Sequence, residues 1–280
     1  MPPDVTVIIT TRNEEGNLPA CLDAIEAQTV PRARLEVLVV DNNSDDGTVA
    51  VATGRAEKVL NKGPERSAQR NYGVAQAAAP YVLYLDADMR LSPTVVAECL
   101  AAVAEDPSIV GIYIPEHVVG SGFWIKVRNF ERSFYDATCI DAVRFIKRDV
   151  FLDLGGFDLD LCGPEDWDLD RRLAERGRLH LLTAHLDHDE GAFNLRRYLR
   201  KKSYYAQSFD TYVAKWNNDA IVRTQLGFTY RYFGVFCEHG KWRRLLAHPL
   251  LTGGMYFLRF LVGCAYLRQK LSGGAMANHY

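Results

Sequence analysis

The fold is decided by residues 5–41, which read VTVIITTRNEEGNLPACLDAIEAQTVPRARLEVLVVD. A short β-branched run at 5–10 ends in a polar loop, and apolar residues then recur at helical spacing over 18–28. A second apolar run at 35–40 ends at Asp41. A strand, a helix and a strand in this order predict two parallel strands joined by a right-handed crossover.

The same alternation continues along the chain. We predict helices over 48–55, 65–78, 93–104 and 123–135, with another starting near Glu165, and strands at 56–60, 81–85, 109–114, 142–146 and 179–183. Strands that alternate with helices indicate an α/β fold with a mostly parallel central sheet flanked by helices. The strand at 179–183 is expected to be the last of this domain.

Polar clusters follow three of the predicted strands, at residues 11–15, 41–46 and 86–88. Ligands of such sheets bind at the carboxyl ends of the strands, so we expect these clusters to form one site. Asp86 and Asp88 are hard oxygen ligands suited to Mg²⁺ or Mn²⁺, which needs only one or two carboxylates when a substrate diphosphate supplies the others. An isolated pair of this kind is usually a solvated turn, but its position after a buried strand favours a metal site.

Two of the acidic clusters also have a purely structural interpretation. In the loop after Asp41, Ser44 or Asp45 is a candidate cap for the next helix, while Asp41 and Asp45 are also candidates for contacts with a base or ribose. Glu165 and Asp166 stand in the first turn of a predicted helix, where carboxylates are favourable by about 0.3–1 kcal/mol each.

Composition favours one large globular domain, or one domain with a C-terminal extension: the 280 residues are 48% hydrophobic and 24% charged. The six cysteines form no C-x-x-C pair, which predicts reduced thiols. The first residues lack the basic and apolar segments of a secretory signal. We therefore expect a cytoplasmic protein, with the inner face of the plasma membrane as an alternative position.

Charge is divided unevenly along the chain. Residues 1–190 carry 19 Lys and Arg against 32 Asp and Glu, whereas residues 191–280 carry 14 against 3. The basic end predicts an anionic surface or partner, unless it only covers the acidic part of the molecule. We accordingly predict two domains: a catalytic domain over 1–190, and a helical, aromatic-rich region over 191–280 for acceptor or membrane-surface association.

Two long helices are predicted in the basic region, over 195–216 and 249–268. The second is apolar, but Arg259 lies near its middle, and a spanning helix needs about 20 predominantly apolar residues. We interpret it as an amphipathic helix lying on a bilayer, which would make the protein peripheral. A buried core helix is the alternative.

Six motifs of the first 190 residues occur together in a characteristic order. They are Thr10-Thr11-Arg12-Asn13-Glu14-Glu15, Asp41-Asn42-Asn43-Ser44-Asp45-Asp46-Gly47-Thr48, Arg66-Ser67-Ala68-Gln69-Arg70-Asn71-Tyr72-Gly73, Asp86-Ala87-Asp88, Gly155-Gly156-Phe157-Asp158 and Glu165-Asp166-Trp167-Asp168. In their order and spacing, about residues 4–190 resemble the family 2 glycosyltransferases of GT-A (Rossmann-like) fold. Six motifs in order are far more specific than any one of them.

The resemblance implies an inverting transfer of a sugar from a UDP- or GDP-sugar to an acceptor hydroxyl, with Mn²⁺ or Mg²⁺ as the cation. The acceptor it suggests is a glycan, lipid-linked or of the cell envelope, and no nucleic acid is expected as a partner. By the resemblance, Thr10, Asn13 and Glu14 would line the pocket for the nucleobase and ribose, Asp41 and Asp45 would contact the nucleobase and ribose, and Arg70 and Asn71 would lie near the same nucleotide. Asp86, beside Ala87, would contact the ribose, or the metal through water, and Asp88 would bind the metal directly. Asp166 would be the general base. A histidine completes the metal site in several such enzymes, which makes His188 the first candidate and His185 the second.

Reaction chemistry agrees with these roles, because an inverting transfer needs a base on the acceptor and charge neutralisation on the leaving diphosphate. A sugar nucleotidyltransferase is a rival, but it should carry a Gly-rich, basic phosphate loop after the first strand, which residues 11–17 lack. A non-catalytic carbohydrate- or lipid-binding module is the other rival. Such a module would not need Asp86, Asp88 and Asp166 together.

Overall fold

The computed structural model describes residues 2–271, without the side chains of residues 269–271. Its strands are β1 (Val5–Thr11), β2 (Leu35–Asp41), β3 (Lys58–Asn61), β4 (Tyr81–Asp86), β5 (Met89–Leu91), β6 (Ile109–Tyr113), β7 (Glu116–Ser121), β8 (Val143–Lys147), β9 (Arg178–Leu181) and β10 (Leu186–Ala192). Its α-helices are α1 (Leu18–Glu26), α2 (Thr48–Ala52), α3 (Arg66–Gln76), α4 (Val95–Glu105), α5 (Phe123–Arg132), α6 (Arg148–Asp153), α7 (Glu165–Ala174), α8 (Leu195–Tyr205), α9 (Phe209–Lys215), α10 (Ala220–Leu226), α11 (Val235–Cys237), α12 (Trp242–Ala247) and α13 (Pro249–Leu271).

Seven strands form the central sheet in the order β3-β2-β1-β4-β8-β6-β9. The pairs from β3 to β4 and the pair β6-β9 are parallel, while β8 runs antiparallel to both of its neighbours. Every residue of β1 and β2 is buried, as expected for strands covered on both faces. The predicted α/β fold with a mostly parallel sheet flanked by helices is confirmed.

The register of the central strands brings their polar ends together. Thr10 of β1 lies opposite Asp86 of β4, and Thr11 lies opposite Asp41 of β2. The side chain of Gln69 reaches this edge from α3 and donates to the carbonyls of Thr11 (3.0 Å) and Val40 (2.6 Å). The carboxyl ends of β1, β2 and β4 therefore form one polar edge.

A second, three-stranded sheet has the order β5-β10-β7 and was not predicted from the sequence. The expectation that the domain ends with the strand at 179–183 is wrong, because β10 follows it and pairs antiparallel with β5. The residues of β10 read LDHDEGA, which lacks the apolar run of a strand buried on both faces. Its strand conformation comes from pairing with a segment almost 100 residues earlier.

The helices predicted over 195–216 and 48–55 both end earlier than expected. The helix over 195–216 is interrupted by a 3₁₀ turn at Ala206–Ser208. Ser208 in that turn is buried, and its hydroxyl bonds to the backbone N–H and carbonyl of Cys162, both at 2.8 Å. The helix over 48–55 ends at Ala52, because Thr53 is extended, with a ψ of 126°, and Gly54 follows with a φ of +84°.

Contacts divide the described residues into two units. The first contains residues 2–119, 136–159 and 165–190, and the second contains 120–135, 160–164 and 191–271. The predicted division of the chain into domains at residue 190 stays a prediction. The six cysteines form no disulfide among the described residues.

A buried ion-pair network lies inside the second unit. Glu131 of α5 pairs with Arg259 of α13 at 3.0 Å and with Arg128 at 2.9 Å, and it accepts from the Tyr135 hydroxyl at 2.7 Å. Burial opposes the charge on Glu131, but Arg259 and Arg128 outweigh it and lower its pKa to about 2. One carboxylate thus holds two cations in this unit.

Replacing Glu131 with Gln should lower the free energy of unfolding by about 3 kcal/mol at pH 7, because two buried cations lose their counter-charge. The folded pKa lies below the ordinary 4.5, so this stability is present above pH 4.5 and is lost as the pH falls towards 2. The deficit measured by urea unfolding should therefore shrink between pH 5 and pH 3. Glu105→Gln, at the exposed end of α4, is the control and should change stability by less than about 0.5 kcal/mol. A constant deficit across this pH range would contradict the assignment.

Candidate active site

Two arginines of α3 converge on Asp86 at the end of β4. Arg70 donates to Asp86 Oδ1 at 3.0 Å and Arg66 to Oδ2 at 3.3 Å. The same guanidinium groups reach the start of α7, where Arg70 Nη1 lies 3.4 Å from Asp166 and Arg66 Nη2 lies 3.6 Å from Glu165. The two arginines join the strand-end acid to the acids of α7, which are 80 residues away in sequence.

The electrostatics of this network differ from one acid to the next. Burial opposes ionisation of Asp86, but Arg70 and Arg66 hold its pKa well below the ordinary value. Burial, and then the neighbouring charge of Asp166, raise the pKa of Glu165. The Asp166 side chain is 25% exposed whereas that of Glu165 is 4% exposed, so Asp166 is the more accessible of the two carboxylates.

Arg70 is held in place on all sides by the first unit. Its side chain is 2% exposed, with the guanidinium 4.5 Å from the ring centroid of Tyr84 and 5.4 Å from that of Phe157. Asn71 fixes the Phe157 backbone with two hydrogen bonds of 2.8 Å. Gly156 is required beside it, since a Cβ there would lie 2.5 Å from Asn71 Oδ1 and φ is +73°. Asn71 thus shapes the wall behind Arg70.

His188 of β10 lies between two carboxylates. Its Nε2 is 3.2 Å from Asp88 Oδ2, and its Nδ1 is 2.9 Å from Glu116, which also accepts from Arg144 at 3.0 Å. Burial opposes the charge on His188, but the hydrogen bonds to Asp88 and Glu116 outweigh it and raise its pKa to about 10. The position between these carboxylates therefore favours a positive charge.

The donor set around Asp88 fits a divalent cation. Asp88 Oδ1 is buried and has no hydrogen-bond partner among the described residues, so one lone-pair acceptor is left for a ligand. A carboxylate oxygen and an imidazole nitrogen face each other there, and Glu116 orients the ring through its other nitrogen, as outer-shell carboxylates commonly do.

His185, the second candidate ligand, lies elsewhere. Its ring stacks on that of His117 with centroids 4.1 Å apart, and its Nε2 is 3.8 Å from Asp187. Since Asp187 and His188 are adjacent residues of β10, their side chains point to opposite faces of the small sheet. The structure therefore brings His188, not His185, to Asp88.

The loops after β1 and β2 are tied together. The Asn13 backbone N–H donates to Ser44 at 2.8 Å, and the Asp45 N–H donates to the Asn13 side chain at 3.0 Å. Asn13 and Asp45 remain exposed, and the Glu14 backbone N–H bonds to Thr48 at 2.7 Å. These loops form a connected polar rim.

The remaining predicted site residues are more enclosed. Asp41 is buried, and its carboxylate accepts from Thr11 at 2.8 Å and from the Ser44 backbone at 2.8 Å, so it orders the loop directly. Thr10 is also buried and donates to Asp86 at 3.0 Å. Ala87 is buried in the apolar core, which directs Asp86 and Asp88 away from it.

Three residues of this network had no role assigned from the sequence: Arg66, Glu116 and Arg144. Glu116 closely follows the predicted strand at 109–114, and the same strand-end rule that singled out Asp86 and Asp88 would have found it. Arg66 is the first residue of the motif at residues 66–73 and lies one helical turn before Arg70. Arg144 lies inside β8 and gives no sequence signal.

Known proteins place the chain in context. It is 39% identical to the glycosyltransferase AglE of Haloferax volcanii over 93 residues, which are 31% of each chain, so the match spans about a third of that relative. The mannosyltransferase PcManGT of Pyrobaculum calidifontis, solved with GDP-Man and Mn²⁺, superposes with a TM-score of 0.65 at 22% identity over 97% of this chain and 88% of its own. S. aureus TarS 1-349, solved with UDP-GlcNAc, gives 0.57 at 16% identity over 98% and 93%.

These two structures establish a GT-A glycosyltransferase fold, since their identities are too low to carry more. The sequence model of the family described as glycosyl transferase family 2 matches residues 6–157, which is more than half of the chain and includes β1 to β4, Arg70, Asp86 and Asp88. The chain therefore belongs to glycosyl transferase family 2.

Proposed function

We propose that this glycosyltransferase moves a sugar from a UDP- or GDP-sugar to an acceptor hydroxyl with inversion at the anomeric carbon. The observation that carries the proposal is the buried Arg70, which contacts both Asp86 and Asp166. Asp86 lies on the strand that leads to the metal-binding carboxylate, and Asp166 lies on a separate helix. The buried Arg70 guanidinium thereby fixes the position of Asp86, on the donor side, relative to Asp166, on the acceptor side.

Asp88 and His188 are the residues that would hold a divalent cation, Mn²⁺ or Mg²⁺, with Glu116 fixing the imidazole ring. When bound, the cation neutralises charge on the leaving diphosphate. Two protein ligands suffice because substrate phosphates commonly supply others. The GDP-Man and Mn²⁺ in PcManGT support the same ligand classes for this chain.

Asp166 is the proposed general base. It removes the proton of the acceptor hydroxyl as the hydroxyl oxygen bonds to the anomeric carbon and the bond to the diphosphate oxygen breaks. Attack on the face opposite the leaving group inverts the configuration, and no covalent enzyme intermediate is needed. Its partial exposure and the Arg70 contact support this role, whereas the burial and raised pKa of Glu165 make that neighbour a poorer base.

The donor nucleotide is proposed to lie against the polar rim after β1 and β2. Asn13, Glu14 and Asp45 are accessible there and stay the candidates for base and ribose contacts. Thr10 and Asp41 would act mainly by ordering Asp86 and the loop, since their side chains are buried and hydrogen-bonded. Asn71 would act through the position of Arg70, and Ala87 through the turn between the two acids.

The acceptor is proposed to be a glycan, lipid-linked or of the cell envelope, and the reaction to occur on the cytoplasmic side. The free cysteines of the described residues support a reducing compartment. The surplus of 14 basic over 3 acidic residues after residue 190 supports an anionic partner such as a lipid-linked phosphate.

Donor class can be measured by thermal shift against UDP, GDP and their sugars, each with Mn²⁺ and with EDTA. A cognate nucleotide at about 100 times its Kd adds about 2.7 kcal/mol, which should raise Tm by about 5 °C. The shift should disappear in EDTA. Hydrolysis of the donor in the absence of acceptor would then distinguish an enzyme from a non-catalytic binding module. Turnover that is undiminished in EDTA would refute the proposed role of the metal.

A further inference from the structure

An exposed apolar stripe runs along α13 in the second unit. Its positions are separated by three and four residues in alternation, which places them on one face of a helix. The stripe, called the outer stripe here, consists of Leu250, Gly253, Phe257, Phe260, Cys264 and Leu267, all of them exposed. Leu250 is 79% and Phe260 63% exposed, although both are large hydrophobic residues.

The opposite face of α13 is buried inside the same unit. Gly254 packs so closely on α5 that a Cβ would lie 2.7 Å from Val127, and Met255 and Leu258 are buried beside it. Arg259, the charge in the middle of the helix, points to this inner face and pairs with Glu131. Because the Arg259 side chain lies on the inner face, the outer stripe contains no charged residue.

Exposed apolar residues continue in the segments just before α13. Trp242 and Leu246 are exposed on α12, and Phe228 and Phe233 are exposed before it. The Phe233 ring lies 6.4 Å from that of Tyr256 on α13, which places that ring beside the helix. Soluble monomers rarely leave so many large apolar side chains together in water, so this surface indicates an interaction.

Charge distinguishes the occupants of this surface. After Glu238 the sequence has six Lys and Arg residues and no Asp or Glu. A second copy would bring the same positive charge against itself, whereas anionic lipid headgroups attract it. Residues 249–268 are also long and apolar enough to span a membrane by length and composition alone, with a mean hydropathy of 1.4. Spanning is disfavoured because the inner face of α13 is occupied by α5 and the Glu131 ion pair.

We infer that the outer stripe docks on an anionic lipid bilayer, with α13 parallel to the surface and its apolar side chains inserted at the boundary between headgroups and acyl chains. Arg243 and Arg244 of α12 and Arg268 of α13 would then supply the positive charge that attracts the phosphates. This docking deepens the proposed function, because it would bring the enzyme to lipid-linked acceptors, but it does not depend on the donor site.

The test is flotation of the full chain with vesicles of phosphatidylcholine alone and with added phosphatidylglycerol. Wild-type protein should partition at least about tenfold more strongly onto the anionic vesicles. Leu250→Asp/Phe260→Asp, which changes the two most exposed large hydrophobic residues of the stripe, should reduce that partition at least about tenfold. Leu152→Asp/Leu159→Asp, at two exposed leucines of the first unit, is the matched control and should float like wild type.

Equal flotation of the stripe variant, or no flotation of wild type, would overturn the inference. Resistance to alkaline carbonate extraction would replace it with a spanning helix, and a wild-type dimer that the stripe variant dissociates without any vesicle binding would replace it with self-association. Donor hydrolysis without acceptor should be the same in wild type and the stripe variant. Its absence from both, with flotation intact, would reject the proposed function and leave the docking surface standing.

Discussion

Asp166→Asn should lower kcat for sugar transfer by about 10²- to 10⁴-fold, the contribution expected of a positioned general base. Asn keeps an oxygen that can accept from Arg70 Nη1, now 3.4 Å from the carboxylate, so the network around Asp86 should survive. Donor Kd, measured by calorimetry with Mn²⁺, should stay within about threefold of wild type, because only proton removal from the acceptor is lost.

Two comparisons sharpen the test of Asp166. Glu175→Gln changes an exposed acid just beyond the end of α7 and should leave kcat unaltered. Asp166→Ala removes the hydrogen-bond acceptor of Arg70 Nη1, so this variant should lose stability as well as kcat. If Asp166→Asn weakened donor binding as strongly as it lowered kcat, the residue would belong to the donor pocket or its support and not to base catalysis.

Asp88→Ala should reduce kcat/KM by at least about 100-fold and abolish the Mn²⁺ dependence of donor binding, since charge neutralisation by a bound cation contributes several kcal/mol. The fold should tolerate the change. Asp88 Oδ1 has no hydrogen-bond partner among the described residues, and Oδ2 contacts His188 Nε2, so the substitution removes one side-chain contact, and His188 keeps its contact with Glu116. The affinity for Mn²⁺ and nucleotide, followed by calorimetry, is the direct measurement.

Asp187→Ala is the matched control for the proposed metal site. Asp187 is the residue before His188 on β10, but its carboxylate lies near His117 and His185. This variant should keep Mn²⁺-dependent donor binding within about threefold of wild type. A variant at Asp88 that bound Mn²⁺ and nucleotide normally would show that Asp88 is not a ligand.

Arg70 explains why the site needs both a sheet edge and a helix. A buried guanidinium is costly unless carboxylates surround it, and Asp86 and Asp166 meet that need from two different elements. The same contacts fix both acids relative to each other. Stability of the first unit and geometry of the candidate site thus depend on one side chain.

The central strands and their shared polar edge follow directly from the sequence. The strands at 5–10, 35–40 and 81–85 are predominantly apolar runs, as expected of strands buried on both faces. Two buried polar residues inside them, Thr6 and Glu36, satisfy each other with a hydrogen bond of 2.6 Å. Their polar ends then mark one edge of a parallel sheet, which is why the sequence alone makes Asp86 and Asp88 candidate site residues. The order of six motifs over residues 10–168 indicated the family, whose sequence model matches residues 6–157.

Only the tertiary structure decided which distant groups meet. β10 is a strand because it pairs with β5, and that pairing carries His188 to Asp88 and turns His185 towards His117. Local patterns could not choose between the two histidines, since a register shift of one residue in a strand reverses which side chain faces the site. Likewise the sequence placed an arginine in the middle of an apolar helix, but only the pairing of Arg259 with Glu131 determined that the opposite face is left free of charge. Local periodicity defined the elements and the edge where they end, while long-range pairing and burial of charge selected the partners.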